Sequence, residues 1–292
     1  MTDQYFLTGY RTPEGVKLGL QKDETLYTLD AAAIPSFDWL LQNVAASDLL
    51  ATLDTAATQV LPDDTVITLN GLLNQQPIWA AGVTYKTSEE ARERESDNST
   101  IYTRVYSAER PEVFWKSIGY EVVSAGDKVG IRYDATWSVP EPELTIVINA
   151  HKEVIGFTIG NDMSSRDIEG ANPLYLPQAK VYDDACALGP RIWLQPNAKQ
   201  WPESAIRIRI ERVGAAVFSG ATSTNMLKRT LPELIDYLGR CKAFPFGVFL
   251  LTGTGVVPAD NFTLEAGDVI RIQIDPIGEL VNTVQVVGVG AV

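Results

Sequence analysis

The feature that most constrains the fold is a succession of short β-type segments between residues 102 and 292. Runs rich in Val, Ile and aromatic residues alternate there with Gly and Pro: VFWK, LTIVI, VIGFTIG, RIWL, AIRIRIERV, AAVFSG, VFLLTGTGVV, DVIRIQI and VNTVQVVGVG. Such runs, separated by turn residues, are typical of antiparallel or mixed sheets. One helix, PELIDYLGR, is predicted among them, so alternating βαβ units are disfavoured. The sequence therefore predicts a barrel or rolled β-sandwich.

Residues 1–75 have a different pattern. The strand-like runs YFLTGY, VKLGL and TLYTL precede SFDWLLQNVAASDLLATLDTAA, whose apolar residues recur every three or four positions, as in a helix. LPDDTV then forms a turn, and IWAAGVTY, from Ile78, begins the next strand. We therefore predict an α+β, mostly β protein, with a small N-terminal α+β domain at 1–75 and a larger β domain at 76–292.

The composition limits the classes of partner. The formal net charge is −13, so a basic surface for nucleic acid or an anionic membrane is not expected. No apolar run approaches the ~20 residues of a membrane helix, and MTDQYFLTGY lacks the features of a secretory signal. Cys186 and Cys241 fit no metal or redox spacing. We expect a cytoplasmic protein with reduced thiols.

The segment WSVPEPEL places two carboxylates, Glu141 and Glu143, in front of the apolar run TIVI. Residues two apart in a strand point to the same face, so these two side chains would repel each other. Either water at a solvated strand entrance or a divalent cation between the two groups would relieve the repulsion. The spacing alone leaves both interpretations open.

Three further segments bear on that choice. Asp162, in NDMSSRD, follows the strand VIGFTIG and could complete a metal site with Glu141 and Glu143. Alone, NDMSSRD is also compatible with a turn that contains an Asp–Arg pair. Lys180 lies in the proline-punctuated loop PLYLPQAKVYDD, where a lysine is otherwise a surface charge. The small residues of LTGTG allow close approach of a ligand or form a tight turn.

The chain contains, in this order, the motifs Glu-x-Glu, Asn-Asp-x-Ser-x-Arg-Asp, Lys, Gly-Pro and Thr-Gly-Thr. With this series of motifs it resembles the fumarylacetoacetate hydrolase family over residues 76–292. The resemblance implies a mixed β-roll, a homodimer or higher homo-oligomer, and Mg²⁺ or Mn²⁺ held by three carboxylates. Position by position, the resemblance implies Glu141, Glu143 and Asp162 as metal ligands and Lys180 as the active-site lysine. Arg166 matches the arginine that follows the metal aspartate, and Thr254 matches a threonine that contacts substrate.

Four segments are similar to the members of this family that dehydrate 2-keto-3-deoxy-D-arabinonate: EARERES, IYTRVYSAERPEVFWK, WSVPEPEL and RDIEGANPLYLPQAKVY. The similarity implies Mg²⁺-dependent conversion of a 2-keto-3-deoxy-pentonate, of the D-arabinonate or D-xylonate type, to 2,5-dioxopentanoate and water in pentose catabolism. Lys180 is the candidate base. Glu112 is the candidate acid for the departing hydroxyl, and a surface strand carboxylate is its other interpretation.

The same similarity suggests substrate contacts. Tyr85, Arg110 and Lys116 are candidates to line the pocket, and Arg166 either pairs with Asp162 or holds the substrate carboxylate. A site with oxygen ligands alone favours Mg²⁺, Mn²⁺ or Ca²⁺ over zinc. The metal would polarise the 2-keto carbonyl and acidify the C3 protons. Elimination then needs a base at C3 and an acid at C4, followed by a proton shift from C5.

Other functions remain open on the sequence. An acylpyruvate hydrolase or an oxaloacetate decarboxylase would use the same metal site. A non-catalytic 2-keto acid binding protein or a structural β domain would convert no substrate. Hydrolases of the family carry a histidine shortly after a Gly-x-x-Tyr strand end, which Gly82 and Tyr85 match, but residues 86–99 contain none. The single histidine, His151, is predicted in an exposed turn. Glu89 or Glu90 could orient a water instead.

The segment KTSEEARERESDNS (86–99) is charged on every face and cannot bury one. It is either a solvated surface helix or a lid that closes over substrate. Its position directly after the strand that leads to Tyr85 favours the lid.

Overall fold

The computed structural model describes residues 4–87 and 104–289. Its first part confirms the three predicted strands as an antiparallel meander, β1 (Tyr5–Thr12), β2 (Gly15–Lys22) and β3 (Thr25–Leu29).

The helical stretch that follows is divided into α1 (Phe37–Asn43) and α2 (Leu49–Ala56). Long-range polar contacts interrupt it: the Val44 carbonyl accepts from the Asn149 side chain at 3.2 Å, and the Ala46 N–H donates to Glu153 at 2.8 Å. Backbone groups that bond elsewhere cannot continue the helical ladder.

In the described part of the chain, the remaining named elements are fifteen strands and three α-helices, besides three single-turn 3₁₀ helices. The strands are β4 (Ala57–Val60), β5 (Ile67–Thr68), β6 (Pro77–Gly82), β7 (Glu112–Ile118), β8 (Lys128–Arg132), β9 (Ser138–Val139), β10 (Pro142–Ile148), β11 (Val154–Asp162), β12 (Ser164–Ser165), β13 (Cys186–Leu194), β14 (Ala205–Arg212), β15 (Ala215–Ser223), β16 (Val248–Leu251), β17 (Val269–Ile274) and β18 (Gly278–Val287). The helices are α3 (Arg166–Ala171), α4 (Leu176–Lys180) and α5 (Leu231–Gly239).

The strands form two large sheets. One has the order β4-β3-β2-β1-β13-β11-β10-β16-β6-β7, with β5 also paired to β1; the other has the order β15-β14-β17-β18-β8. Most pairs are antiparallel, but β16–β6 and β18–β8 are parallel. Strands β9 and β12 form a separate short pair. The prediction of an α+β, mostly β protein with mixed sheets is confirmed.

Burial distinguishes the central strands from the outer ones. Every residue of β10 and β11 is buried, because other strands flank both in the sheet and the core covers its faces. In β14 exposed and buried residues alternate, which marks a strand with one solvated face. The wider of the two apolar clusters lies between the sheets and includes Phe157, Ile208 and Ile272.

The N-terminal strands continue the large sheet. Strand β1 pairs with β13, and Leu7, Leu41, Val147 and Phe249 belong to one hydrophobic cluster. Residues on both sides of the division at residue 75 therefore share one sheet and one core. The domain boundary at this position stays a prediction. Within residues 4–87 and 104–289, no helix is long and apolar enough to cross a membrane.

Candidate active site and metal centre

The site forms where several strands of the large sheet end on the same side. Strands β6, β11 and β16 finish there, whereas β7 and β10 begin there. Side chains at these strand ends are brought together by the register of the sheet, although they are distant in sequence.

Three carboxylates meet at this point. Glu141 precedes β10, Glu143 is its second residue, and Asp162 ends the neighbouring strand β11. All three are buried, and they offer oxygen atoms within 4.8 Å of one another. The predicted convergence of these three side chains is therefore present.

Burial and like charge make the ionised form of Glu143 costly. The pKa of Glu143 is raised well above its usual range, first because the side chain is fully desolvated and then by the negative charges of Asp162 and Glu141. One hydrogen bond partly offsets this: the Gly253 N–H donates to Glu143 Oε2 at 2.6 Å. Gly253 has φ +90°, a conformation that glycine adopts without strain.

Lys180 connects two members of the cluster. Its Nζ donates to Glu141 Oε2 at 2.8 Å, to Asp162 Oδ2 at 3.1 Å and to Ser164 Oγ at 2.5 Å. The predicted loop around Lys180 is wrong in one respect: the residue is the last of the short helix α4 and is buried. Pro177 at the second position of α4 is compatible with a helix start, which the loop interpretation overlooked.

Arg166 and Lys116 supply two more buried cations. Arg166 Nη2 donates to Glu141 Oε1 at 2.9 Å, a partner that neither predicted alternative included. Lys116 Nζ lies 2.5 Å from Asp162 Oδ1 and donates to the carbonyl oxygens of Met163 and Lys180. Lys116 is not among the described residues that line the pocket beside the carboxylates. It contacts Asp162 without lining the pocket.

A pocket opens beside the carboxylate cluster. The described residues that line it, besides the three carboxylates, are Ala81, Gly82, Val83, Glu112, Phe114, Arg166, Glu169, Lys180, Gly253 and Thr254. The candidate acid Glu112 faces this pocket from the start of β7. Its carboxylate lies over Gly82, where an added Cβ would be 2.0 Å from Glu112 Oε2. Thr254 lines the pocket, as the family resemblance implied.

Two other predicted contacts lie elsewhere. Tyr85 is buried next to the site without lining the pocket; burial, and secondarily the charge of Glu143, raise the pKa of its phenol. Arg110 is not brought to the pocket: its guanidinium lies 5.3 Å from the ring centre of Tyr237, in a separate groove with Trp79 and Val113. Arg110 precedes Pro111 and so lies outside strand β7.

Sequence reasoning missed Glu169. This buried residue of α3 lines the pocket and is the third residue after Arg166 on the same helix. Residues three apart share a helix face, so the Arg-x-x-Glu spacing was a usable signal.

The histidine and the charged segment complete the predicted set. His151 is exposed in the turn between β10 and β11, as predicted, at the end of the hairpin opposite Glu141. Residues 88–103 lie outside the described part of the chain, so the lid predicted at 86–99, with Glu89 and Glu90, stays a prediction.

The donor set fits a hard divalent cation. Three carboxylates converge without His or Cys among the described residues, which favours Mg²⁺ or Mn²⁺. Burial and two acidic neighbours raise the pKa of Glu143, and the positive charge of an ion there would oppose both effects. Glu141, Glu143 and Asp162 are therefore the residues able to hold the ion.

Comparisons with known proteins agree with this geometry. The fumarylacetoacetate (FAA) hydrolase C-terminal family matches residues 78–285, so the chain belongs to that family. It is 46% identical over 215 residues to a probable 2-keto-3-deoxyxylonate dehydratase of Haloferax volcanii, covering 74% of each chain. It is 39% identical over 215 residues to 2-dehydro-3-deoxy-D-arabinonate dehydratase of Saccharolobus solfataricus, covering 71% of each.

A solved structure is similar over almost the whole chain. It is a 2-keto-3-deoxy-D-arabinonate dehydratase complexed with magnesium and 2,5-dioxopentanoate, 31% identical, with a TM-score of 0.78. The similarity covers 97% of this chain and 99% of that one. The predicted family and the predicted fold type are confirmed.

Proposed function

We propose that the protein is a Mg²⁺-dependent dehydratase, with Mn²⁺ as the alternative ion, that converts a 2-keto-3-deoxy-pentonate to 2,5-dioxopentanoate and water. One observation carries the proposal: a single pocket brings Lys180, Glu112 and Glu169 to the three-carboxylate cluster. The names of the two relatives and the ligands of the similar structure support the same substrate class.

Glu141, Glu143 and Asp162 would hold the ion, which would supply Lewis acidity to the bound 2-keto acid. Lys180 is the proposed base at C3. Its Nζ donates to Glu141 and Asp162 and the residue lines the pocket, so the amine lies beside the carboxylates that would hold the ion. A neutral amine at that position can accept the C3 proton.

Glu112 is the proposed acid at C4. When the C3–H bond breaks, the electron pair forms the C3–C4 double bond and the C4–O bond breaks. Glu112 gives its proton to the departing hydroxide, which leaves as water. Glu112 is on strand β7, whereas Lys180 and Glu169 are on helices α4 and α3, so the three proton-transfer groups line the pocket from different elements.

Glu169 is the remaining pocket carboxylate, and we propose that it takes the C5 proton. A proton returns to C3, which moves the double bond to C4–C5 and leaves an enol. Loss of the hydroxyl proton at C5 and protonation of C4 then yield the aldehyde. Together these transfers remove one water and no electrons from the substrate.

Arg166 and Lys116 are proposed to hold metal ligands. Arg166 pairs with Glu141 Oε1 and Lys116 pairs with Asp162 Oδ1, so each of these two carboxylates has a buried cationic partner besides Lys180. Partners of this kind orient ligands, and their loss typically weakens metal binding about 10–100-fold.

We further propose that the protein acts in the cytoplasm as a homodimer or a higher homo-oligomer. Both cysteines are free, in agreement with a reducing compartment. Size-exclusion chromatography with light scattering tests the oligomer; a monomer at micromolar concentration would contradict it.

The test of the reaction is an assay on a panel of 2-keto-3-deoxy sugar acids with and without Mg²⁺. We expect release of 2,5-dioxopentanoate from a five-carbon acid, only with the metal, and strong loss in Glu112→Gln. Equal activity in metal-stripped protein, or no turnover of any five-carbon acid, would contradict the proposal.

A further inference from the structure

One buried arginine holds the segment that leads into strand β7. Arg229 exposes 6% of its surface. Its Nη2 donates to the carbonyl oxygens of Val105 and Ala108 at 3.1 and 2.7 Å, and its Nη1 donates to that of Glu109 at 3.2 Å. Three carbonyls within five residues thus share one guanidinium. Hydrogen bonds from an ionised donor are stronger than neutral ones, and this set restrains the segment closely.

The arginine is itself fixed to a helix end. Nη1 also donates to Glu233 Oε1 at 2.6 Å, and Glu233 forms a capping box with Thr230 at the start of α5. The Arg229 carbonyl accepts from Trp201 Nε1 at 2.8 Å. The guanidinium therefore has little freedom to follow a movement of the segment that it binds.

The two residues before Arg229 contact the neighbouring strand end. The Lys228 N–H donates to the Thr84 carbonyl at 3.0 Å, and Leu227 forms a β-bridge with Tyr85. Lys228 Nζ also donates to the Tyr106 carbonyl and lies 3.9 Å from the centre of that ring. Residues 227–229 thus connect Thr84 and Tyr85, just after β6, with residues 105–109, just before β7.

The two segments that residues 227–229 connect lie next to the strand ends that determine the position of the Glu112 carboxylate. Glu112 pairs with Gly82 across β6 and β7, and its Oε2 occupies space that a side chain at position 82 would fill. A small shift of one strand end against the other moves this carboxylate within the pocket.

We propose that Arg229 is a positioning residue for the reaction: it fixes the approach to β7 and thereby the place of the Glu112 carboxylate. This role rests on the proposed function, in which Glu112 is the acid at C4. Misplacement of a catalytic group by about 1 Å can cost about 100-fold in rate. The loss should appear in kcat, because Glu112 acts in the chemical step and not in metal or carboxylate binding.

A double-mutant cycle tests the role. Arg229→Gln should lower kcat roughly 10–100-fold with KM changed less than about threefold, and Arg229→Lys, which keeps the charge with fewer donors, should lie between. In the Glu112→Gln background the same substitution should cost less than about twofold, because residues that act as a unit are not additive. Arg240→Gln, at the other end of α5 and paired with Asp236, is the matched control and should leave kcat unchanged.

Hydrogen exchange gives a second readout that does not depend on turnover. Amides of residues 104–114 should exchange faster in both Arg229 variants, with the amides of the central strands β10 and β11 unchanged. Equal kcat losses in the two backgrounds, or unchanged exchange in 104–114, would overturn the role of Arg229 while the wild type remains active. A wild type that dehydrates no five-carbon acid would instead overturn the proposed function, whatever the exchange shows. If Arg229→Gln does not fold, the double-mutant cycle is measured with Arg229→Lys instead.

Discussion

Asp162 donates its backbone N–H to the carbonyl oxygen of Glu141 at 3.0 Å, so two carboxylates of the centre are joined by one rung of the β10–β11 ladder. The geometry of the candidate metal site is thereby set by strand register. A slip of one residue would turn Asp162 to the opposite face of the sheet. Lys180 spans the same pair through their side chains.

Asp162→Asn should abolish metal-dependent activity. The substitution keeps the shape but removes one of three anionic ligands and leaves Lys116 and Lys180 short of a buried counter-charge. We expect Mg²⁺ affinity, measured by calorimetry, to fall at least about 100-fold. Asp167→Asn is the control, since Asp167 accepts from Thr136 outside the cluster and its loss should leave Mg²⁺ affinity unchanged.

Mg²⁺ affinity should weaken as the pH falls. Burial and the neighbouring charges raise the pKa of Glu143, so this carboxyl takes up a proton at higher pH than an ordinary glutamate. The protonated form cannot ligate the ion; the dissociation constant therefore increases below that pKa and levels off above it. Titrations across acidic to neutral pH should also detect proton release on Mg²⁺ binding. A dissociation constant independent of pH would contradict the assignment of Glu143 as a ligand.

The metal centre could be predicted from sequence because its signals are local. Glu141 and Glu143 are two residues apart, and Asp162 ends a strongly apolar strand. In β7, Glu112, Phe114 and Lys116 share one face by the same alternation. Glu112 and Phe114 line the pocket. Lys116, further along the strand, pairs with Asp162 and does not line the pocket.

The missed features depend on contacts between distant segments. The Arg166–Glu141 pair joins residues 25 positions apart, and no local pattern indicates that partner. Glu169 is the exception: the Arg-x-x-Glu spacing places it on the face of α3 that carries Arg166, although six residues are too few for a clear helical period. The division between α1 and α2 likewise depends on side chains of the β10–β11 turn more than 100 residues away.

Gly82→Ala should reduce turnover without changing the affinity of the site for Mg²⁺. The new Cβ would overlap the end of the flexible Glu112 side chain, so the carboxylate moves while the backbone keeps its place. We expect kcat to fall roughly 10–100-fold, with Mg²⁺ affinity and melting temperature close to wild type. The loss should not add to that of Glu112→Gln. A Gly82→Ala variant with wild-type kcat would show that the observed position of the Glu112 carboxylate is not needed.

Glu169→Gln should separate the later proton transfer from metal binding. The amide keeps the size of the side chain and cannot accept the C5 proton, so kcat should decrease roughly 10²–10⁴-fold. Mg²⁺ affinity should be retained, because Glu169 is outside the three-carboxylate cluster. Nuclear magnetic resonance of the product mixture should then show the unsaturated 5-hydroxy-2-keto acid in place of 2,5-dioxopentanoate. Wild-type kcat in this variant would exclude Glu169 from the chemical steps.

Acylpyruvates should be poor substrates, because their hydrolysis needs an activated water. The chain's only histidine, His151, is exposed in the β10–β11 turn, and seven strand residues, Pro142–Ile148, separate that turn from Glu141. At about 3.4 Å per residue the imidazole is roughly 20 Å from the carboxylate cluster, too far to activate a water there. A dehydratase needs only proton transfers within the substrate, so His151→Ala should leave its kcat/KM unchanged. The measurement compares kcat/KM for a 2-keto-3-deoxy-pentonate and an acylpyruvate at saturating Mg²⁺ in both proteins. Faster turnover of the acylpyruvate, or its loss in His151→Ala, would favour a hydrolase over the dehydratase.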